Sequence, residues 1–202
     1  MMSKTKPTVV WFQAITCNGN THSLLSSNTN KFELFLDNFE LIYHPSLTID
    51  KILQDVLNQE EKIDFLLIEG SISSNKDFFT INEDSTFNYL NKLASKSKYI
   101  IAVGSCASYG GIHAKFTQNS DICGIKEALK NENLKNLKYQ IVNLTGCPVH
   151  PEWIFQTLYT LNTFGTILLD EEARPKELYG TLAHHGCTKN EYFEWKITWP
   201  QA

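Results

Sequence analysis

Five cysteines stand far apart in a chain of 202 residues: Cys17, Cys106, Cys123, Cys147 and Cys187. An odd, widely spaced set of this kind favours metal ligation over a disulfide framework. Three of the five share a context. Cys17 lies just beyond the apolar run Val9-Val-Trp-Phe-Gln-Ala-Ile15, Cys106 just beyond Tyr99-Ile-Ile-Ala-Val103, and Cys147 just beyond Tyr139-Gln-Ile-Val-Asn-Leu144. Each has glycine beside it: Gly19, Gly104 with Gly110, and Gly146. Thiolate is the ligand used by iron–sulfur clusters, normally four to a cubane. Loops at the carboxyl edge of one parallel sheet can gather such ligands from distant parts of a chain. The pattern therefore predicts that these three thiols converge on one cluster and that the chemistry is one-electron transfer.

The elements that would position them follow from periodicity. Val9–Ile15, Phe39–Tyr43, Ile63–Ile68, Tyr99–Val103 and Tyr139–Leu144 read as strands, several of them near-continuously apolar, as strands buried on both faces are. Helices are expected over Thr21–Ser27 with Asn20 as N-cap, and over Ile49–Gln59, where Ile49, Ile52, Leu53, Val56 and Leu57 keep helical spacing. Further helices are expected near Ser85–Ser97, over Gly124–Asn133, and over Glu152–Leu161 with Pro151 at its start. Gly104–Gly111 reads as a small-residue loop. Strands alternating with helices predict an α/β fold, a flavodoxin-like, doubly wound and mainly parallel sheet spanning residues 1–165. Residues 166–202 are expected to form a short irregular C-terminal segment.

Composition narrows the function classes. A formal net charge of −4 with scattered Lys, Asp and Glu offers no basic face for nucleic acid. No apolar stretch approaches the length of a membrane span. Met1–Pro7 has neither a long apolar core nor a twin-arginine pair, so no export signal is expected and a cytoplasmic location follows, with membrane association only through partners. No Gly-x-Gly-x-x-Gly or phosphate-loop lysine follows the first strand, which argues against a metal-free nucleotide- or flavin-binding module.

Four segments together carry a family resemblance: Trp11-Phe-Gln-Ala-Ile-Thr-Cys-Asn-Gly-Asn20, Glu69-Gly70, Gly104-Ser-Cys-Ala-Ser-Tyr-Gly-Gly-Ile112 and Thr145-Gly-Cys-Pro-Val-His-Pro-Glu-Trp153. In this order, over about residues 8–195, the chain resembles the small subunit of nickel–iron hydrogenases. The resemblance implies a flavodoxin-like domain carrying the proximal 4Fe–4S cluster, with Cys17, Cys106 and Cys147 as its ligands. It implies electron transfer during H2 oxidation or evolution, with the H2 chemistry on a separate nickel–iron large subunit and an unspecified downstream acceptor. Glu69 matches a family glutamate near the subunit interface, and the Trp11–Asn20 and Glu69–Ile72 segments are expected to contribute an apolar face for the partner.

Two departures stand out. The family's first motif is cysteine-x-x-cysteine, whereas Asn20 occupies its second position. That leaves the fourth ligand open among Asn20, His22, Cys123, a solvent ligand, or no fourth iron at all, as in a 3Fe cluster. Ala183-His-His-Gly-Cys187 resembles the start of the family's distal-cluster motif, giving His184 and Cys187 as possible ligands, and no cysteine follows Cys187. The related quinone-module subunit of complex I is the alternative, but its adjacent cysteines are absent around Cys17. His44, His113 and His150 carry structural expectations only.

Overall fold

The computed structural model describes residues 5–48, 50–59, 61–75, 79–116, 121–130, 140–182 and 185. In chain order the elements are β1 (Thr8–Gln13), α1 (Gly19–Leu25), α2 (Thr29–Asn38), β2 (Glu40–Tyr43), α3 (Leu53–Asn58) and β3 (Ile63–Glu69). A small hairpin of β4 (Thr80–Ile81) and β5 (Asp84–Ser85) leads into α4 (Thr86–Ala94) and β6 (Ser97–Val103). There follow α5 (Ser105–Tyr109), α6 (His113–Phe116), α7 (Ile125–Ala128), β7 (Gln140–Leu144), α8 (Pro151–Phe164) and α9 (Lys176–Tyr179).

Five strands form one sheet in the order β2-β1-β3-β6-β7, and every pairing within it is parallel. This is the expected doubly wound order, with the carboxyl ends of β1, β3, β6 and β7 on one edge. Strand side chains alternate between faces. Val10, Phe12, Leu66, Ile68, Ile100 and Ala102 pack with α3, α4 and α7. Val9, Trp11, Phe65, Leu67, Ile101 and Val103 pack with α2 and α8 on the other side. Helices cover both faces, and that is why the strands are apolar almost throughout.

Several local expectations are corrected. The helix α2 went unforeseen because Phe35 alone of its residues is buried. It is held by aromatic stacking, Phe35 lying 5.3 Å from Phe39 and 5.5 Å from Phe155 between ring centroids. Its N-cap is Asn28, whose side chain accepts from Asn30 N at 3.0 Å. The Ile49–Gln59 helix is shorter, Leu53–Asn58, and Ile49 lies outside the described residues. The helix expected near Ser85–Ser97 starts after the Ser85 N-cap and ends at Ala94, because Ser97 already pairs with Ile63 in the sheet. Of the helix expected over Gly124–Asn133, α7 supplies Ile125–Ala128, and residues 131–139 lie outside the described set. Asn20 is not an N-cap: Asn18 holds that place, with φ 62°, and Asn20 falls inside the first turn of α1.

Beyond α8 the chain runs back along the outer edge of β7. Asn143 N donates to Ala173 O at 2.8 Å, and its side-chain amide to Glu172 O at 2.8 Å. Tyr179 OH donates to Thr145 O at 2.8 Å, and its ring meets Trp153 edge-on at 4.9 Å. No helix among the described residues is long and apolar enough to cross a membrane.

Candidate metal centre

Three chain segments leave the carboxyl edge of the sheet side by side. After β1, Ile15 exchanges backbone hydrogen bonds with Ser71 at 3.1 and 3.0 Å, and the chain turns through Thr16 and Cys17 into α1. After β6, Gly104 N donates to Leu144 O at 2.7 Å. The Gly104–Gly111 segment is then not the expected loop, because Ser105–Tyr109 coils into the helical turn α5, with Cys106 in its first turn. After β7, Gly146 O accepts from both Ser105 N at 2.9 Å and Ser105 Oγ at 3.1 Å, which ties the Cys106 and Cys147 segments together directly.

Cys17 and Cys147 are exposed and Cys106 is half-buried, all three as free thiols. Burial pushes the Cys106 thiol up, and the neighbouring Cys147, Cys17 and Glu69 push it further in the same direction. Cys17 and Cys147 thus both lie within electrostatic reach of Cys106. Gly111 (φ 64°) leaves room for the Cys106 side chain, since a Cβ there would come within 2.6 Å of Cys106 Sγ. Among the described residues no group of three or more His, Cys, Asp and Glu side chains closes on a point suited to one metal ion. Three soft sulfur donors carried on neighbouring segments suit a polynuclear iron–sulfur group, whose ligands are spread over several irons.

Asn20 is nearly buried, its Nδ2 donating to Val103 O at 3.3 Å and its Oδ1 accepting from Val149 N at 3.0 Å. His22 is exposed and lines an open groove with Lys31, His150 and Glu152. Cys123 sits in an antiparallel bridge with Ile72, packed against the apolar core, where burial above all raises its thiol to about 11. His150 caps α8 through Nδ1, accepting from Glu152 N at 3.3 Å, and His113 is exposed at the start of α6. His44 is fully buried 5.2 Å from the Trp11 ring. His184 and Cys187 lie outside the described residues.

Glu69 requires a correction. The Glu69–Ile72 segment was expected on an exposed face, yet Glu69, Ser71 and Ile72 are all 0% exposed. The carboxylate is turned inward because it serves the amino end of α1: Oε1 accepts from Asn20 N at 2.9 Å and Thr21 N at 3.3 Å. Oε2 accepts from Thr21 Oγ1 at 2.5 Å, Trp11 Nε1 at 3.1 Å and Gln13 Nε2 at 3.3 Å. Sequence reasoning missed Trp11, Gln13 and Thr21 as this clamp. The available signal was the two-residue spacing of Trp11 and Gln13, which puts both on one face of β1.

The site is thus a parallel α/β sheet that carries three thiols on segments leaving its carboxyl edge. Residues 17–161 match the model of the family described as NADH ubiquinone oxidoreductase, 20 Kd subunit, and the chain belongs to that family. It is 27% identical over 199 residues to the Hydrogenase-2 small chain of Escherichia coli (strain K12), covering 94% of this chain and 52% of that one. It is 29% identical over 208 residues to a periplasmic NiFeSe hydrogenase small subunit of Desulfomicrobium baculatum, covering 90% and 65%. The structure of a reduced, active form of the NiFeSe hydrogenase from Desulfomicrobium baculatum superposes with a TM-score of 0.80 at 25% identity, covering 96% of this chain and 78% of that one. The chain thus spans between about half and two thirds of the length of these curated relatives. Its homologues are hydrogenase small subunits, and small subunits of this family carry iron–sulfur clusters.

Proposed function

We propose that the chain is the electron-transferring small subunit of a nickel–iron hydrogenase, pairing with a large subunit that bears the Ni–Fe centre. The observation that supports the reading is that the segments bearing Cys17, Cys106 and Cys147 leave one edge of the sheet side by side, with Ser105 bonded to Gly146 O between the last two. Bound there, a 4Fe–4S cluster supplies reversible one-electron storage. The residues of this chain hold it: the thiols ligate, Gly111 leaves room, and the backbone bonds between the Cys106 and Cys147 segments fix the spacing. The same reading gives His184 and Cys187 as the start of a second cluster region within residues 166–202.

The test is anaerobic purification of the full chain with whatever accompanies it, followed by iron, sulfide and nickel analysis and H2-dependent reduction of a viologen dye. Bound iron and sulfide, a nickel-containing companion and dye reduction support the proposal. Iron and sulfide without nickel or H2 activity, but with quinone reduction in the complex, favour the complex I-type reading that the matched family's description supports. A chain that binds no iron and resists reconstitution is a metal-free module, and the proposal fails.

A further inference from the structure

We infer that Asn20 is a strut between two cluster-bearing segments and not an iron ligand, so that one iron of the proposed cluster is left to an external, exchangeable donor. This rests on the cluster reading above and concerns what that reading leaves open, the fourth ligand. Asn20 is 9% exposed and committed at both ends of its amide, to Val103 O at 3.3 Å and from Val149 N at 3.0 Å. Its backbone N–H is held by Glu69 Oε1 at 2.9 Å. The main chain is shaped to receive it: Gly104 has φ 92°, and a Cβ there would lie 2.4 Å from Asn20 Nδ2. Turning the amide toward Cys17 would take a partner from two buried backbone groups, at about 1–3 kcal/mol each. In exchange it would offer a neutral oxygen where iron–sulfur clusters use thiolate.

The other candidates are no better placed. His22 lies two residues after Asn20, about 200° round the helix, and is exposed in the groove beside α8. Cys123 is bonded through its backbone to Ile72 at 3.0 and 2.9 Å, and the charges that bear on its thiol are those of Glu127 and Asp121. The described residues therefore supply three thiolates. An iron without a protein thiolate takes small external donors such as cyanide, and leaves under mild oxidation. From a cluster in its 2+ state (two ferrous and two ferric ions), ferricyanide would take one electron, one ferrous ion would depart, and three ferric ions with four sulfides would remain on the three thiolates.

The experiment uses the full chain as isolated anaerobically, with any subunit that accompanies it. Graded ferricyanide is followed by iron release and electron paramagnetic resonance, and cyanide is added to the reduced protein. Parent protein is expected to release one iron per cluster, to develop a three-iron signal, and to change its reduced spectrum with cyanide. Asn20→Cys, which places a second thiol three residues after Cys17, is expected to slow iron release at least tenfold and to abolish the cyanide response. Asn20→Ala keeps the question answerable if the cysteine variant fails to fold. A strut predicts an unchanged spectrum and cyanide response with a lower cluster yield, whereas a ligand predicts an altered spectrum.

Cys123→Ser is expected to leave iron release unchanged. If it alters the cluster, Cys123 is the fourth ligand and the inference is overturned. Parent protein that keeps all its iron and ignores cyanide also overturns it, while leaving the cluster reading intact. Protein with no bound iron and sulfide overturns the cluster reading itself, and the inference with it.

Discussion

Glu69 gathers five donors on two buried carboxylate oxygens, from Asn20 N, Thr21 N, Thr21 Oγ1, Trp11 Nε1 and Gln13 Nε2. An amide in its place would turn an NH2 group toward donors and leave at least one unpartnered. Glu69→Gln is therefore expected to destabilise the fold by about 2–4 kcal/mol, from lost charge-assisted bonds and an unsatisfied buried group. Urea unfolding of the variant beside the parent measures it, and a shift below about 0.5 kcal/mol would contradict the clamp. Much of the candidate site was legible at this scale. A cysteine just past a buried strand needs only the local pattern to be noticed. The roles of Asn20 and Glu69 were not legible, because the partners of Asn20 lie 83 and 129 residues along the chain and those of Glu69 up to 58. No local pattern encodes which backbone group a polar side chain will find at such distances.

Among the elements, the five sheet strands were legible because burial on both faces makes them almost continuously apolar. The helix α2 was not, since it buries Phe35 alone, and α5 was not, since Ser, Cys, Ala, Ser and Tyr between glycines carry no helical signature. The end of β2 holds a further device. His44 follows Tyr43 directly and is 0% exposed, its Nδ1 accepting from Ser46 N at 3.1 Å. Burial lowers its pKa, partly offset by the charge of Glu69. The folded protein thus binds this proton less readily than the unfolded chain, whose histidine titrates near about 6.5. Above that pH both states are neutral and the group is silent. As pH falls below it the unfolded chain is protonated first, and stability declines toward the folded-state pKa. His44→Phe is expected to flatten the loss of stability as pH falls below about 6.5 relative to the parent, read from urea midpoints. An unchanged pH slope would show that the histidine titrates alike in both states.

At the scale of the molecule, the edge that gathers the thiols also exposes apolar side chains. Tyr109 and Ile112, on either side of the Gly110–Gly111 turn beyond Cys106, are 44% and 65% exposed. On the proposed reading this is where a large subunit covers the cluster site. Ile112→Arg is expected to weaken association with the companion subunit about tenfold or more, while iron and sulfide per chain stay at the parent level. Size-exclusion chromatography with metal analysis of each peak checks both halves. Unchanged co-elution would move the contact elsewhere on the surface.

The strand order has a consequence for biogenesis. Strand β7 lies at the edge of the sheet and is the last of its five strands to leave the ribosome, yet it delivers Cys147 and the carbonyls that anchor Ser105 and Gly104. A nascent chain that ends before β7 has Cys17 and Cys106 but neither the third thiol nor the loop that spaces them. On the proposed reading, cluster loading would then wait for nearly the whole sheet to be synthesised and to add its final parallel strand, a slow, long-range step. Until that moment the growing polypeptide displays reactive sulfur with nothing to hold.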